Sequence, residues 1–109
     1  MSSAAMVDAD RLLRIEGELT IYRAAELCEV LKDSLAAVPE HGTLGLDLGA
    51  VSEMDSAGAQ LLLATQKSAF ATGRSLRVTA TSAAADEVLA ILRLATQFAA
   101  TPPSAASTV

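Results

Sequence analysis

Apolar positions recur along this chain in two alternating rhythms. From Arg11 to Leu19 polar and apolar residues alternate in part, with Leu13, Ile15 and Leu19 directed to one side, the period of a half-buried strand. The rhythm then changes. Ala24, Cys28, Leu31, Leu35 and Val38 follow one another at helical spacing, which predicts an amphipathic helix capped by Thr20 and ending before Pro39. Its other side carries Arg23, Glu26, Glu29, Lys32 and Asp33, a solvated face that needs no chemistry to explain it. After the turn Pro39-Glu40-His41-Gly42, Leu44, Leu46 and Leu48 share one face of a central strand, and Gly45 and Asp47 share the other, where Gly45 leaves room for a closely packed element.

The second half repeats the order. Leu61, Leu62, Thr65 and Ala69 form a helical stripe widened by Leu63 and Phe70, and Gly73 ends the helix as a C-terminal glycine does. Ser75 to Ala80 alternates again, with Leu76, Val78 and Ala80 inward. Ser82 caps a last helix in which Ala85, Val88, Leu89, Leu92 and Ala95 recur, and Asp86 and Glu87 lie in its first turns, where the helix dipole favours negative charge. Met6 and Val7, ahead of Asp8-Ala9-Asp10, predict a short edge strand hairpinned onto the first long one. Helices that alternate with strands imply crossover connections. The expected fold is therefore α/β, a four- to five-stranded mixed, mostly parallel sheet with amphipathic helices packed on it. Residues 1–100 are expected to form one domain, and residues 101–109, small, polar and broken by Pro102 and Pro103, a disordered tail beyond Phe98 as the last apolar anchor.

Composition narrows the function classes. Apolar residues make up 51% of the chain but aromatic ones only 3%, so the core is built from Leu, Val, Ile and much Ala. The formal net charge is −5 and the eight Lys and Arg are scattered, which argues against a nucleic-acid partner. No apolar run approaches the roughly 18 residues of a membrane span, and the N-terminus lacks a signal-peptide pattern, so the expectation is a cytoplasmic protein without membrane insertion. Cys28 cannot form an internal disulfide and reads as a small core residue. One cysteine and one histidine, His41, cannot assemble a metal site of the usual soft or nitrogen ligands, and no P-loop sequence occurs, so no cofactor is expected. Catalysis is not expected either, because no base and orienter accompany a nucleophile.

The candidate chemistry lies in Met54-Asp55-Ser56-Ala57-Gly58, between the central strand and the second helix. In parallel sheets, sites gather beyond the carboxyl ends of the strands, which is where this stretch falls. It puts a serine hydroxyl on the first turn of a helix, where backbone amides can receive a phosphate. Ser56 or Asp55 equally reads as a plain helix cap. Gly58, lacking a side chain, leaves room for a partner backbone to approach the hydroxyl, and Met54 offers either a flexible thioether contact or a buried anchor under the loop. Glu53, Ala57 and Gln60 are the neighbouring contacts.

Gly17-Glu18-Leu19 before the first helix, Leu46-Asp47-Leu48 in the central strand and Met54-Asp55-Ser56-Ala57-Gly58 leading into the second helix, in this order and spacing, resemble the STAS domains of sulfate transporters and anti-sigma factor antagonists. The resemblance spans about residues 11–98. It implies a phosphorylation switch: the serine after the aspartate, here Ser56, is phosphorylated by a partner that is both anti-sigma factor and serine kinase, an ATPase of the histidine-kinase-like type, and phosphorylation prevents binding to that partner. The chain would then be substrate and binder, with Glu53, Met54, Asp55, Ser56, Ala57, Gly58, Gln60 and Thr20 at the contact. Thr20 stands where many antagonists carry aspartate. Thr20-Ile21-Tyr22-Arg23-Ala24-Ala25-Glu26-Leu27 is instead similar to STAS proteins encoded beside chemotaxis genes, which implies a signalling adaptor. A third branch that looks similar holds the small STAS subunits of phospholipid-transport ABC complexes, where the hydroxyl serves contact rather than phosphate transfer.

Overall fold

A computed structural model of the chain describes residues 10–98. Strand β1 spans Asp10–Leu19, a single 3₁₀ turn Ile21–Arg23 leads into helix α1, Ala24–Ala36, and strand β2 spans Thr43–Met54. Helix α2 (Ser56–Ala71), strand β3 (Ser75–Thr81) and helix α3 (Ala83–Ile91) follow. The described sheet has the order β1-β2-β3, and both pairings are parallel, as the alternation of strands and helices requires. The expected edge strand at Met6 and Val7 and the expected tail over residues 101–109 lie outside the described residues.

β2 is the central strand, and Leu44, Leu46 and Leu48 on it are each fully buried. Leu13 lies opposite Leu46, and Leu46 opposite Val78, so one side-chain layer crosses all three strands. α1 packs on α2, α2 on β3, and α3 on β2, closing a core that includes Ile15, Leu19, Leu31, Leu62 and Leu89. Each buried leucine of this kind stabilises the fold by roughly 1.5–3 kcal/mol, which makes the leucine layer rather than the exposed ion pairs the main support of the sheet.

The structure corrects the sequence expectations in three places. β2 does not stop at Leu48 but continues to Met54, because two register shifts along the β1–β2 ladder, one after Arg14 and one at Gly17 with φ +81°, each set an extra residue of β2 against β1 and keep the strands paired until Leu19 meets Met54. The buried stripe of α1 is Leu27, Leu31 and Leu35, with Cys28 half-buried at its margin. Gly45 is closely packed, as expected, and the packed elements are the neighbouring strands: a Cβ there would meet Leu12 Cδ1 at 3.2 Å and Thr79 Cγ2 at 3.3 Å. α3 ends at Ile91 rather than running through Ala95, since Arg93 turns left-handed at φ 62° and the Leu94 amide caps Leu89 O at 2.7 Å, which brings Phe98 back into the core. Among the described residues no helix is long and apolar enough to cross a membrane.

Candidate functional site

β1 and β2 end side by side, and each hands its chain to a helical start at the same edge of the sheet. Thr20, in extended backbone, caps the 3₁₀ turn by accepting from the Tyr22 amide at 3.3 Å, while its hydroxyl donates to Glu18 Oε1 at 3.1 Å. Asp55, also extended, is the cap of α2: its Oδ1 accepts from the Gly58 amide at 3.0 Å. The other oxygen, Oδ2, accepts from the Ile21 amide at 3.0 Å. One carboxylate thus satisfies a free amide at the start of each helical segment and ties the two together. Its pKa is held below the ordinary 3.8, first by the Ile21 amide and then by that of Gly58.

Of the residues predicted for the site, Glu53, Ser56 and Gln60 are exposed, and Asp55 and Ala57 are half-buried. Ser56 is the first residue of α2, on the outer side of a turn whose cap is already supplied by Asp55. The remaining three residues are buried. Met54, opposite Leu19 at the end of the β1–β2 ladder, is 8% exposed and takes the buried of the two positions expected for it, and Thr20 is 7% exposed, its hydroxyl engaged by Glu18 and the Tyr22 amide. Gly58 is buried too, and a Cβ there would lie 2.1 Å from Leu19 O. The missing side chain therefore admits the end of β1 against the helix, not a partner.

Two residues that the sequence did not single out as contacts complete the surface. Ile21 and Tyr22 on the 3₁₀ turn are 61% and 89% exposed, and the Ile21 amide is the one bound to Asp55. Their signal was an isoleucine and a tyrosine directly after a capping threonine, on a turn too short to bury either. Arg23 is not part of a solvated face: its Nη1 donates to the carbonyls of Glu16 at 2.6 Å and Glu18 at 3.0 Å. That clamp holds the Gly17 irregularity, and with it the position of Thr20 to Tyr22. The Glu29–Lys32 pair on α1 is exposed at 3.8 Å, as a solvated face implies.

The resulting patch combines an aromatic and an aliphatic anchor with carboxylates and one hydroxyl, a composition suited to protein contact. His41 precedes β2 whereas Ser56 follows it, so the strand's length separates the histidine from the serine. Among the described residues, no three His, Cys, Asp or Glu side chains gather as metal ligands do.

A family model described as "Mlab, STAS domain" matches residues 2–100. No curated protein matches the chain. Among solved structures, the unphosphorylated form of the anti-sigma factor antagonist SpoIIAA is similar with a TM-score of 0.69 at 19% identity, covering 91% of this chain and 86% of that one. An anti-sigma factor antagonist from Mycobacterium paratuberculosis is similar with a TM-score of 0.73 at 23% identity, covering 94% and 86%. The STAS domain of a SulP transporter from Vibrio cholerae gives 0.65 at 19% identity, covering 92% and 80%. At these identities the likeness carries the fold.

Proposed function

This chain belongs to the STAS family, and from that membership we propose that it is a regulatory module of the anti-sigma factor antagonist kind, which works by binding a protein partner through the Ser56 turn and is switched by phosphorylation of Ser56. The observation that carries the proposal is the division of labour between neighbours: Asp55 makes the helix cap, and Ser56 stands exposed beside it with no structural duty at the cap.

In the proposed reaction Ser56 Oγ attacks the terminal phosphorus of ATP held by the partner kinase, ADP leaves, and the hydroxyl proton passes to a base of the kinase. The chain itself is substrate, not enzyme. A phosphoserine carries about −1.5 to −2 charges, and at the first turn of α2 it meets the positive end of the helix dipole, so the fold is kept. The new charge, next to Asp55 and Glu53, repels an acidic partner surface and covers the ground between Ser56 and the Ile21-Tyr22 anchors. The partner in this reading is an anti-sigma factor and serine kinase of the histidine-kinase-like ATPase type, met in the cytoplasm where ATP is available.

A second reading is supported by the description of the matching family model, Mlab. In it the chain is a constitutive subunit on the ATPase of a phospholipid-transport complex, and the Ser56 hydroxyl is a contact that never changes state. One experiment separates the two. The purified chain is incubated with ATP and its cognate kinase, and binding of Ser56→Asp to the same partner is measured. Phosphate on the wild type but not on Ser56→Ala, together with loss of the complex for Ser56→Asp, supports the switch. A complex undisturbed by Ser56→Asp and no incorporated phosphate overturn it in favour of the constitutive subunit.

A further inference from the structure

Away from the Ser56 turn, towards the other end of α2, a cleft of about 750 Å³ opens between that helix and the start of β3. Sites for small molecules span roughly 300–1,000 Å³. The walls are Leu63, Ala64, Phe70 and Leu76, and Phe70 is 85% exposed, a large aromatic surface left in water. Two cations, Lys67 and Arg74, line the same cleft, and among its described lining residues none is acidic, in a chain whose formal net charge is −5. Glu40 rests against Gly73 at the neighbouring turn but is not part of the lining.

Arg74 is fixed in place before any ligand arrives. Its Nε donates to Val38 O at 2.6 Å and its Nη1 to Thr72 O at 3.4 Å, so little further side-chain freedom is lost when the rest of the guanidinium meets an anion. The last carbonyls of α2 do not compete for these cations, since the amides of Thr72, Gly73 and Arg74 already occupy those of Ser68, Ala69 and Phe70.

We propose that this cleft binds a free amphiphile with one alkyl chain and a carboxylate head, of the medium-chain fatty acid class. The alkyl chain lies along Leu63, Ala64 and Leu76 and covers Phe70, and the carboxylate sits between Lys67 and Arg74. An inorganic anion would leave the apolar walls wet, and an uncharged hydrocarbon would leave two cations facing it without a counter-charge; the amphiphile satisfies both. This site is separate from the Ser56 surface and stands whether or not Ser56 is phosphorylated.

The test is amide NMR on the full chain, titrated with sodium decanoate below its micelle concentration, with decyltrimethylammonium and acetate as comparison probes. Saturable shifts are expected at Leu63 to Phe70, Leu76 and Gln97, with the Ser56 turn unmoved. Lys67→Glu, a change at an exposed position, is expected to weaken decanoate binding by about tenfold or more, as inversion of a charge beside a carboxylate does. Phe70→Ala, at a position 85% exposed, weakens it through lost apolar cover and leaves the fold intact. An equal response to decyltrimethylammonium means an indiscriminate apolar patch and overturns the proposal. So does acetate reproducing the shifts, or the absence of any saturable response because another part of the chain or a protein covers the cleft.

Discussion

The two ends of α2 each depend on a glycine, and for opposite reasons. Gly58, in the first turn, is required by what lies beside it: a side chain there would run into the backbone oxygen of Leu19 at 2.1 Å. Gly73, just past the last turn, is required by its own backbone, at φ +76°, while a Cβ added there meets only Glu40 Cγ at 3.5 Å. The first end is built by long-range packing of backbone on backbone, and its capping carboxylate serves two segments. The second is a local cap, closed by the Gly73 amide on Phe70 O at 3.2 Å and the Arg74 amide on Ala69 O at 2.8 Å. The candidate partner surface sits at the end whose geometry is fixed from a distance.

Gly58→Ala should therefore have the largest effect. Neither the β1 carbonyl nor the helix can yield without separating the strand end from α2, so the expected loss is about 3 kcal/mol or more in urea denaturation. A loss below about 1 kcal/mol, the centre of ordinary point-mutation effects, would show that β1 yields easily and would dissolve the contrast. Gly73→Ala comes next, at about 1–2 kcal/mol, the strain of a left-handed L-residue in a place with room for its side chain. The order of the two is the prediction: local strain is borne by one residue, a backbone collision by two elements.

The same contrast explains what could be read from the sequence. The Gly73 ending, the Ser82 cap, which accepts from the Ala85 amide at 3.1 Å, and the leucine layer of β2 were legible because each is declared within a few residues of itself. The burial of Gly58 and Thr20 was not legible, and that of Met54 was only one of two readings, because it depends on β1 ending beside β2 and α2, a register set by two irregularities that no local pattern announces. Tyr22 was not singled out as a contact, because it is the 3₁₀ turn after Thr20 that presents it to solvent, at 89% exposure. The Asp55 to Ile21 bond joins positions far apart in the chain, and nothing in either neighbourhood foretells it.

Asp55→Asn tests how far that one carboxylate holds the long-range end together. Its folded pKa lies below the ordinary 3.8, so the ionised form favours the folded state. That contribution is fully present above about the ordinary carboxylate value and is lost as the pH falls through the lowered folded value. In the wild type, hydrogen exchange at the Ile21 and Gly58 amides should accelerate across that acidic window, relative to amides of the α2 C-terminal cap such as Arg74. In Asp55→Asn the two amides should be less protected at neutral pH and the acid-dependent step should vanish. A step that persists in the variant would assign it to another carboxylate and break the link drawn between the two helical starts.

Ser56→Ala should have the smallest effect on stability, and this makes it the sharpest probe of the surface. The cap bond is made by Asp55, the Ser56 side chain is exposed, and alanine is the better helix former, so the change should stay within about ±0.5 kcal/mol in urea denaturation. Tyr22→Ala should be similarly mild, since the ring is 89% exposed and gives up little buried area. Against the partner the two should part company. Tyr22→Ala removes an anchor and weakens the complex whatever the phosphorylation state, whereas Ser56→Ala leaves the unmodified complex in place and abolishes only its release by kinase and ATP. A stability loss from Ser56→Ala comparable to that of Gly73→Ala would mean that the hydroxyl supports the helix after all, and the division of labour between Asp55 and Ser56 would fail at the point from which the switch is argued.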